Sequence, residues 1–240
     1  MFHTIFFLPL YNALIWLSSV VPGADVGLAI VILTLLVKFL LFPLQHKMSK
    51  TQLALKKLEP QLTNLKEKYK DNKNEHAKQM MALYREHGVN PFAGFLVLII
   101  QLPILIALFW VFKDSFVLNR EFLYSFVTHP ETLNTQFLGF LDITAHNYYL
   151  AILVGVTQFF QMRLALPPTP PANKSETATP SFQADFSRSL NLQMRYFMPA
   201  MVIFISATLP AAVPLYWLTS NLFAIVHEMF VRRQAEKILG

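Results

Sequence analysis

A single lysine stands inside the first long apolar run of the chain. Lys38 lies in Val26 to Leu44, a stretch that holds no other ionisable group. The midpoint of that run is Leu35, so Lys38 sits about 4.5 Å beyond it at the helical rise of 1.5 Å per residue. If the run crosses a bilayer, the nearer boundary is another ~10 Å away, while a lysine side chain reaches roughly 6 Å, so snorkelling falls short. A charge at that depth costs ~2.5–3.5 kcal/mol on insertion scales. It is therefore expected to face a hydrated cavity or a polar partner. Thr34 lies one turn earlier on the same face and Gln45 two turns later. No acidic residue sits at matching depth in another apolar run: Asp25, Asp114 and Asp142 fall near one boundary and Glu228 near the other. The spacing thus points to a counter-charge that visits. The bland alternative is local thinning of the bilayer, which would hydrate Lys38 without giving it a role.

Other polar groups are scattered through the apolar runs: Gln101 in the second, Gln158 and Gln161 in the third, Ser206 and Thr208 in the fourth. Tyr216, Trp217, Thr219, Ser220 and Asn221 lie in the last. Singly, each reads as glue between helices. Together with Lys38 they could line one polar groove, and spacing leaves both readings open. Catalytic chemistry has little support. The seven histidines lie in loops and at ends without ligand spacing, so no metal site is expected. There are no cysteines, which excludes disulfides and thiolate sites. A Ser–Lys dyad would need Ser206 or Ser220 brought to Lys38 by the fold. Only 7 glycines are present and none forms a phosphate cradle. The expectation is a protein with no catalytic residues, metal or cofactor.

The elements that position these residues are read from hydropathy. Of 240 residues, 54% are hydrophobic and 14% charged, and the mean hydropathy is +0.42. Soluble chains carry about 25% charge, so the bilayer is the expected solvent. A span needs ~20 mainly apolar residues. The predicted spans are 24–45, 91–113, 147–166, 194–212 and 213–231. Residues 1–23 lack the basic start of a signal peptide. They are expected to form an interfacial helix on the outer surface, with Tyr11 and Trp16 at the headgroups. Segment 46–90 carries nine lysines and Arg85, whereas 114–146 carries only Arg120. The 163–195 region, around its Pro-Pro-Thr-Pro-Pro run, holds Arg163, Lys174, Arg188 and Arg195, and the 232–240 tail holds Arg232, Arg233 and Lys237. Lys and Arg mark the cytoplasmic side, so 46–90, 167–193 and 232–240 are assigned inside and 114–146 outside. The N-terminus is then outside and the C-terminus in the cytoplasm. Pro210 and Pro214 punctuate a tight turn between the last two spans.

Segment 46–90 has its own pattern. Leu55, Leu58, Leu62, Leu65 and Tyr69 step by threes and fours, then Ala77, Met80, Met81 and Tyr84 make a second stripe. Two helices folded as a hairpin would bury both, with Pro60 kinking the first.

Four stretches carry a resemblance. Met80 to Trp110 (MMALYREHGVNPFAGFLVLIIQLPILIALFW), VILTLLVKFLLFPL, GVTQFFQMRL and VPLYWLTSNLFAIVHEMFVRR together resemble the YidC/Oxa/Alb family of membrane protein insertases, in family order over nearly the whole chain. The resemblance implies an all-α membrane protein: five transmembrane helices around a hydrophilic groove, an outer interfacial helix and a cytoplasmic helical hairpin. It implies a groove open to cytoplasm and lipid, with Lys38 where the family usually has arginine. Thr34, Gln101, Gln158, Gln161, Tyr216, Trp217, Ser220 and Asn221 are the candidate groove residues, and Met80, Met81 and Tyr84 the candidate receiving surface on the hairpin. Tyr216-Trp217 fits the small bacterial form without a large outer domain. The implied activity is insertion and folding of nascent membrane proteins at the bacterial plasma membrane, without nucleotide hydrolysis. Implied partners are nascent membrane proteins and the lipid bilayer. The ribosome, the Sec translocon and the signal-recognition-particle receptor are further candidates, and no sequence-specific nucleic acid is expected. Without the resemblance, a small-solute transporter or channel using Lys38 as an intramembrane site fits the apolar runs equally, as does a Ser–Lys protease. The large basic hairpin is needed by neither.

Overall fold

The computed structural model describes residues 1–70, 72–90, 103–112, 120–128, 132–165 and 192–239. These residues are mostly helical, as an all-α membrane protein requires. Helix α1 (Leu8–Val20) continues a π-helical turn, His3–Phe7. It is followed by α2 (Val26–Leu40), α3 (Phe42–Lys57), α4 (Glu59–Lys68) and α5 (Lys73–Glu86). Helix α6 is Pro103–Phe112 and α7 is Tyr148–Ala165. Helix α8 (Met198–Ala207) is entered through a second π turn, Gln193–Phe197. Helix α9 is the long Ala212–Leu239. A two-stranded hairpin, β1 (Gln136–Phe137) with β2 (Leu141–Asp142), lies between α6 and α7. Among the described residues, His3–Val20 is long and apolar enough to cross a membrane by itself. The pair α2 and α3 passes the same test jointly, with a 61° bend between them.

The bend has a local cause. Pro43 has no N–H to donate to the Phe39 carbonyl, and its ring crowds that carbonyl. Helix α2 therefore ends at Leu40, and Pro43 sits in the first turn of α3, where a missing donor costs nothing. Pro60 acts in the same way. The helix breaks at Leu58, and Pro60 lies in the first turn of α4. Helix α5 starts on an Asn72 cap, whose side chain accepts the Glu75 N–H at 3.1 Å. It stops at Gly88 (φ +62°), with Val89 N–H donating to Tyr84 O at 2.9 Å. Helices α4 and α5 pack together. Leu62, Leu65, Tyr69, Ala77, Met80 and Tyr84 are half-buried, whereas Met81 is exposed.

The connections at one end of the helices form a platform. The Asp25 carboxylate caps α2, accepting Leu28 N–H at 2.9 Å, and its second oxygen accepts Leu138 N–H at 2.8 Å. Val26 N–H donates to Asn134 O, and Ala212 N–H, at the start of α9, donates to Ile143 O. The Asn147 side chain caps α7 through Leu150 N–H at 2.9 Å. Thus α2, α7 and α9 all start at the 132–147 segment and run the same way. A side chain at Gly27 would collide with Phe137, 2.5 Å from its Cβ and 2.6 Å from its ring, so the hairpin seats directly on the first turn of α2. On α7, a Cβ at Gly155 would lie 2.1 Å from Ile203 of α8. Such close helix contact is what small residues permit in lipid.

Helix α1 packs on α2, and its buried residues join those of the N-terminal half of α2 in one core. Asn12 ties α1 to the 120–128 segment: its amide donates to Phe122 O and its oxygen accepts Tyr124 N–H, at 2.8 and 2.7 Å. Trp16 is half-exposed. Tyr11 is fully buried, its ring against Phe7 and Phe122, so it packs in the core and does not reach the headgroups as its position suggested. The cover comes from residues more than a hundred positions away.

Candidate functional site

Burial divides the helices into two levels. The apolar core takes Val26, Ala29, Ile30 and Leu33 from α2 and Ala212, Val213, Leu215 and Tyr216 from α9, together with α1, α6, Val127 and Ile143. This is the end nearest the platform. The buried polar residues come next: Thr34 and Lys38 on α2, Gln158 on α7, and Ser220 and Asn221 on α9. Counted from their helix starts at 1.5 Å per residue, Thr34, Lys38, Gln158 and Ser220 lie roughly 12–18 Å along. Because the three helices start together, these residues share one layer.

Lys38 belongs to the inward stripe of α2. Val26, Ile30, Thr34 and Lys38 recur at i, i+4 and are all buried, whereas Leu36, Phe39 and Leu40 face outward. Lys38 itself is 6% exposed. It also lies in the last turn of α2. The Thr34 hydroxyl donates to Ile30 O at 2.7 Å, which leaves its oxygen lone pairs available as acceptors.

Helix α9 serves two sides. Tyr216, Ser220, Phe223 and His227 form one stripe. Tyr216 meets Phe112 of α6, Phe223 meets Phe39 of α2, and His227 meets His46 of α3. Asn221, Glu228 and Arg232 form the other. The Asn221 amide donates to Val154 O at 3.3 Å and to Thr157 Oγ1 at 3.2 Å, both on α7. Arg232 pairs with Glu228 at 3.4 Å and donates to the Leu164 carbonyl, covering an open carbonyl at the end of α7. Asn221 is therefore engaged in joining α9 to α7. Tyr216 belongs to the apolar core. Gln161 and Trp217 are half-buried. Gln101 lies outside the described residues.

Sequence reasoning missed the far end of this layer. His46 Nδ1 lies 3.3 Å from His227 Nε2, and the Phe42 ring touches both imidazoles. The two histidines are 181 residues apart, and only the turn at Pro43 brings α3 against α9. Among the described residues no group of three His, Asp or Glu could hold a metal. On the hairpin, burial raises the Tyr84 phenol above its ordinary pKa, while Met80 and Met81 lie on the same helix, half-buried and exposed.

Comparison with known proteins fits this arrangement. Residues 16–237 match the family model described as 60Kd inner membrane protein. The chain is similar to membrane protein insertase YidC of Fusobacterium nucleatum, 33% identical over 212 residues that span 87% of this chain and 86% of that protein. It is also similar to membrane protein insertase YidC of Francisella tularensis subsp. novicida, 30% identical over 207 residues, or 86% of this chain and 32% of that protein. The chain thus spans most of the first relative and about a third of the second.

Proposed function

The chain belongs to the YidC/Oxa1 family of 60Kd inner membrane proteins, and from that premise we propose that it inserts nascent membrane proteins through a polar groove centred on Lys38. The observation that carries this reading is the layer of buried polar residues around Lys38, set beyond a dry apolar core.

The incoming chain carries a hydrophobic segment and a short, often acidic, outer tail. Lys38, Thr34, Gln101, Gln158, Gln161 and Ser220 give that tail a polar place partway across, with Asn221 holding α9 against α7 beside it and Tyr216 and Trp217 at its apolar edge. This lowers the desolvation barrier, the main cost of moving polar groups through lipid. The apolar segment then leaves sideways into lipid, driven by burial at ~25 cal/mol per Å². A membrane potential adds ~2.3 kcal/mol per acidic charge for each 100 mV. No nucleotide or bond-making step is required. The apolar core under the 120–147 segment keeps the groove closed on the outer side. The α4–α5 hairpin receives the substrate first through Met80, Met81 and Tyr84, since methionine adapts to many apolar shapes. Five spans surround the groove, α1 lies along the outer surface, and the protein sits in a bacterial plasma membrane with its N-terminus outside. The ribosome, Sec translocon and signal-recognition-particle receptor are candidate cytoplasmic and membrane partners.

The test is complementation of an insertase-depleted strain. Lys38→Ala and Lys38→Glu are expected to slow insertion of an acidic-tailed single-span substrate by about tenfold or more, the factor set by ~1.4 kcal/mol. Lys38→Arg is expected to support it. Parental insertion by both Ala and Glu variants refutes the electrostatic role. For the hairpin, crosslinkers at Met80 or Met81 are expected to capture a stalled nascent chain, and no adduct at either position refutes receipt there.

A further inference from the structure

The outer β-hairpin has an apolar tip that its own fold does not use. Its turn is closed by Phe140 N–H donating to Phe137 O at 3.2 Å. Both central residues have positive φ, Leu138 at 53° and Gly139 at 79°, the pattern of a type I′ turn. That turn favours Asn-Gly, because asparagine tolerates the left-handed region and leucine does not. Leu138 nevertheless occupies the strained position and is 60% exposed, and the neighbouring Phe140 is 76% exposed. The protein thus bears both backbone strain and exposed apolar surface at one point. The Asp25 carboxylate holds the Leu138 N–H and the Phe140 ring meets Phe137, yet among the described residues both side chains stay largely uncovered.

The position of the tip indicates what covers this exposed surface. Leu138 N–H is bound to the Asp25 carboxylate that caps α2, and Phe137 seats on Gly27. The tip is therefore fixed at the level where α2 begins. Tyr148 and Tyr149, at the start of α7, are 68% and 83% exposed at the same platform. Exposed aromatic side chains at a span boundary are the composition of an interfacial belt. Segment 114–146 contains Asp114, Glu121, Glu131 and Asp142 against the single Arg120, so its net charge is negative and attraction to anionic groups is not what draws it.

We propose that Leu138 and Phe140 form an apolar wedge that enters the outer leaflet and anchors the hairpin, and with it the start of α2, to the lipid. The proposal rests on the orientation given under Proposed function. The occupant is the boundary between headgroups and acyl chains of any lipid, charged or neutral.

The native chain lacks cysteine, which permits single-site labelling of the full protein in liposomes. Thr132→Cys and Lys57→Cys first test orientation with a membrane-impermeant thiol reagent. Labelling of Lys57→Cys from the outer side, with Thr132→Cys protected, overturns the orientation itself. With orientation intact, an environment-sensitive dye on Leu138→Cys or Phe140→Cys is expected to shift to the blue. A nitroxide lipid should quench it at least about threefold more than the dye on Thr132→Cys, equally in zwitterionic and anionic vesicles and independently of salt. A dye at both tip positions that behaves as at Thr132 refutes the wedge. So does shielding that requires another membrane protein, which would assign the tip to a protein partner. Leu138→Asn separates the wedge from a merely structural role. Relief of the strained turn is expected to raise the melting temperature in detergent, while quenching at Phe140→Cys falls. Unchanged quenching in that variant counts against the proposal.

Discussion

Replacement of Gly155 by alanine tests the close contact between α7 and α8. The new Cβ would lie 2.1 Å from Ile203 Cγ1, 2.5 Å from Ile203 Cδ1 and 3.2 Å from the Pro199 carbonyl oxygen. Ordinary carbon contacts are ~3.5–4.0 Å, so about 1.5 Å must be found. Rotation of Ile203 can supply part of it, but the Pro199 carbonyl is backbone and moves only with α8. Forcing one methyl into such a site costs ~1–3 kcal/mol. Ile203→Ala removes both colliding carbons, and as a single change it leaves a gap worth ~2–5 kcal/mol if the site cannot collapse. The alanine at 155 fills part of that gap. The double variant should therefore be more stable than the sum of the single effects predicts, by ~1–3 kcal/mol of coupling. Reversible unfolding of all four proteins in one detergent measures this cycle. Additive effects, or a Gly155→Ala variant as stable as the parent, would show that α7 and α8 do not touch at this point.

Asp25→Ala removes an N-cap and the acceptor for Leu138 N–H, and is expected to cost ~1.5–3 kcal/mol. Asp25→Asn keeps one acceptor and should cost about half as much, since its amide nitrogen cannot accept. Amide exchange at Leu28 and Leu138 in the two variants separates the bonds. The Thr144 hydroxyl, then its backbone N–H, holds the Asp142 carboxyl below its usual pKa. A depressed folded pKa contributes stability above the unfolded value and loses it as pH falls. Thr144→Val should therefore raise the Asp142 titration midpoint, read by NMR, and flatten hairpin stability on the acid side of pH ~4. Burial raises the Tyr84 phenol, so its contribution is complete below pH ~10 and is lost as pH rises further. Tyr84→Phe should abolish that alkaline loss in the exchange protection of α4 and α5.

Much of this architecture is legible from periodicity and punctuation. Lys38 stands out because a lone charge in an apolar run is costly wherever the run lies. Pro60 and the leucine stripes give a bent pair of amphipathic helices, and the helices break there. The family is carried by four stretches in order, and the comparisons agree. What stays hidden depends on neighbours distant in sequence. Tyr11 looks like an interfacial aromatic until Phe122 covers it. Asn221 and Ser220 are adjacent, yet one joins α7 while the other belongs to the stripe facing α2 and α3; the sequence contains the period but not the neighbour. His46 and His227 carry no local motif, because their contact follows from the turn at Pro43. Asp25 reads in sequence only as an acid near one boundary; its capping of α2 and its hold on Leu138 emerge with the structure, the second through a hairpin too short for periodicity to reveal.

The common starting point of α2, α7 and α9 has an electrostatic consequence. Peptide dipoles in a helix sum to roughly +0.5 charge at its N-terminus and −0.5 at its C-terminus. Three helices that begin on one platform therefore align their fields, positive at the platform and negative at the far end. Lys38, in the last turn of α2, stands at a negative pole, which offsets part of its desolvation by ~0.3–1 kcal/mol or more where water is excluded. In the proposed orientation, an acidic group that has passed Lys38 then meets three positive poles ahead of it. The backbone of these helices would thus supply a potential gradient along the proposed direction of export, built from peptide units that no side-chain substitution can remove.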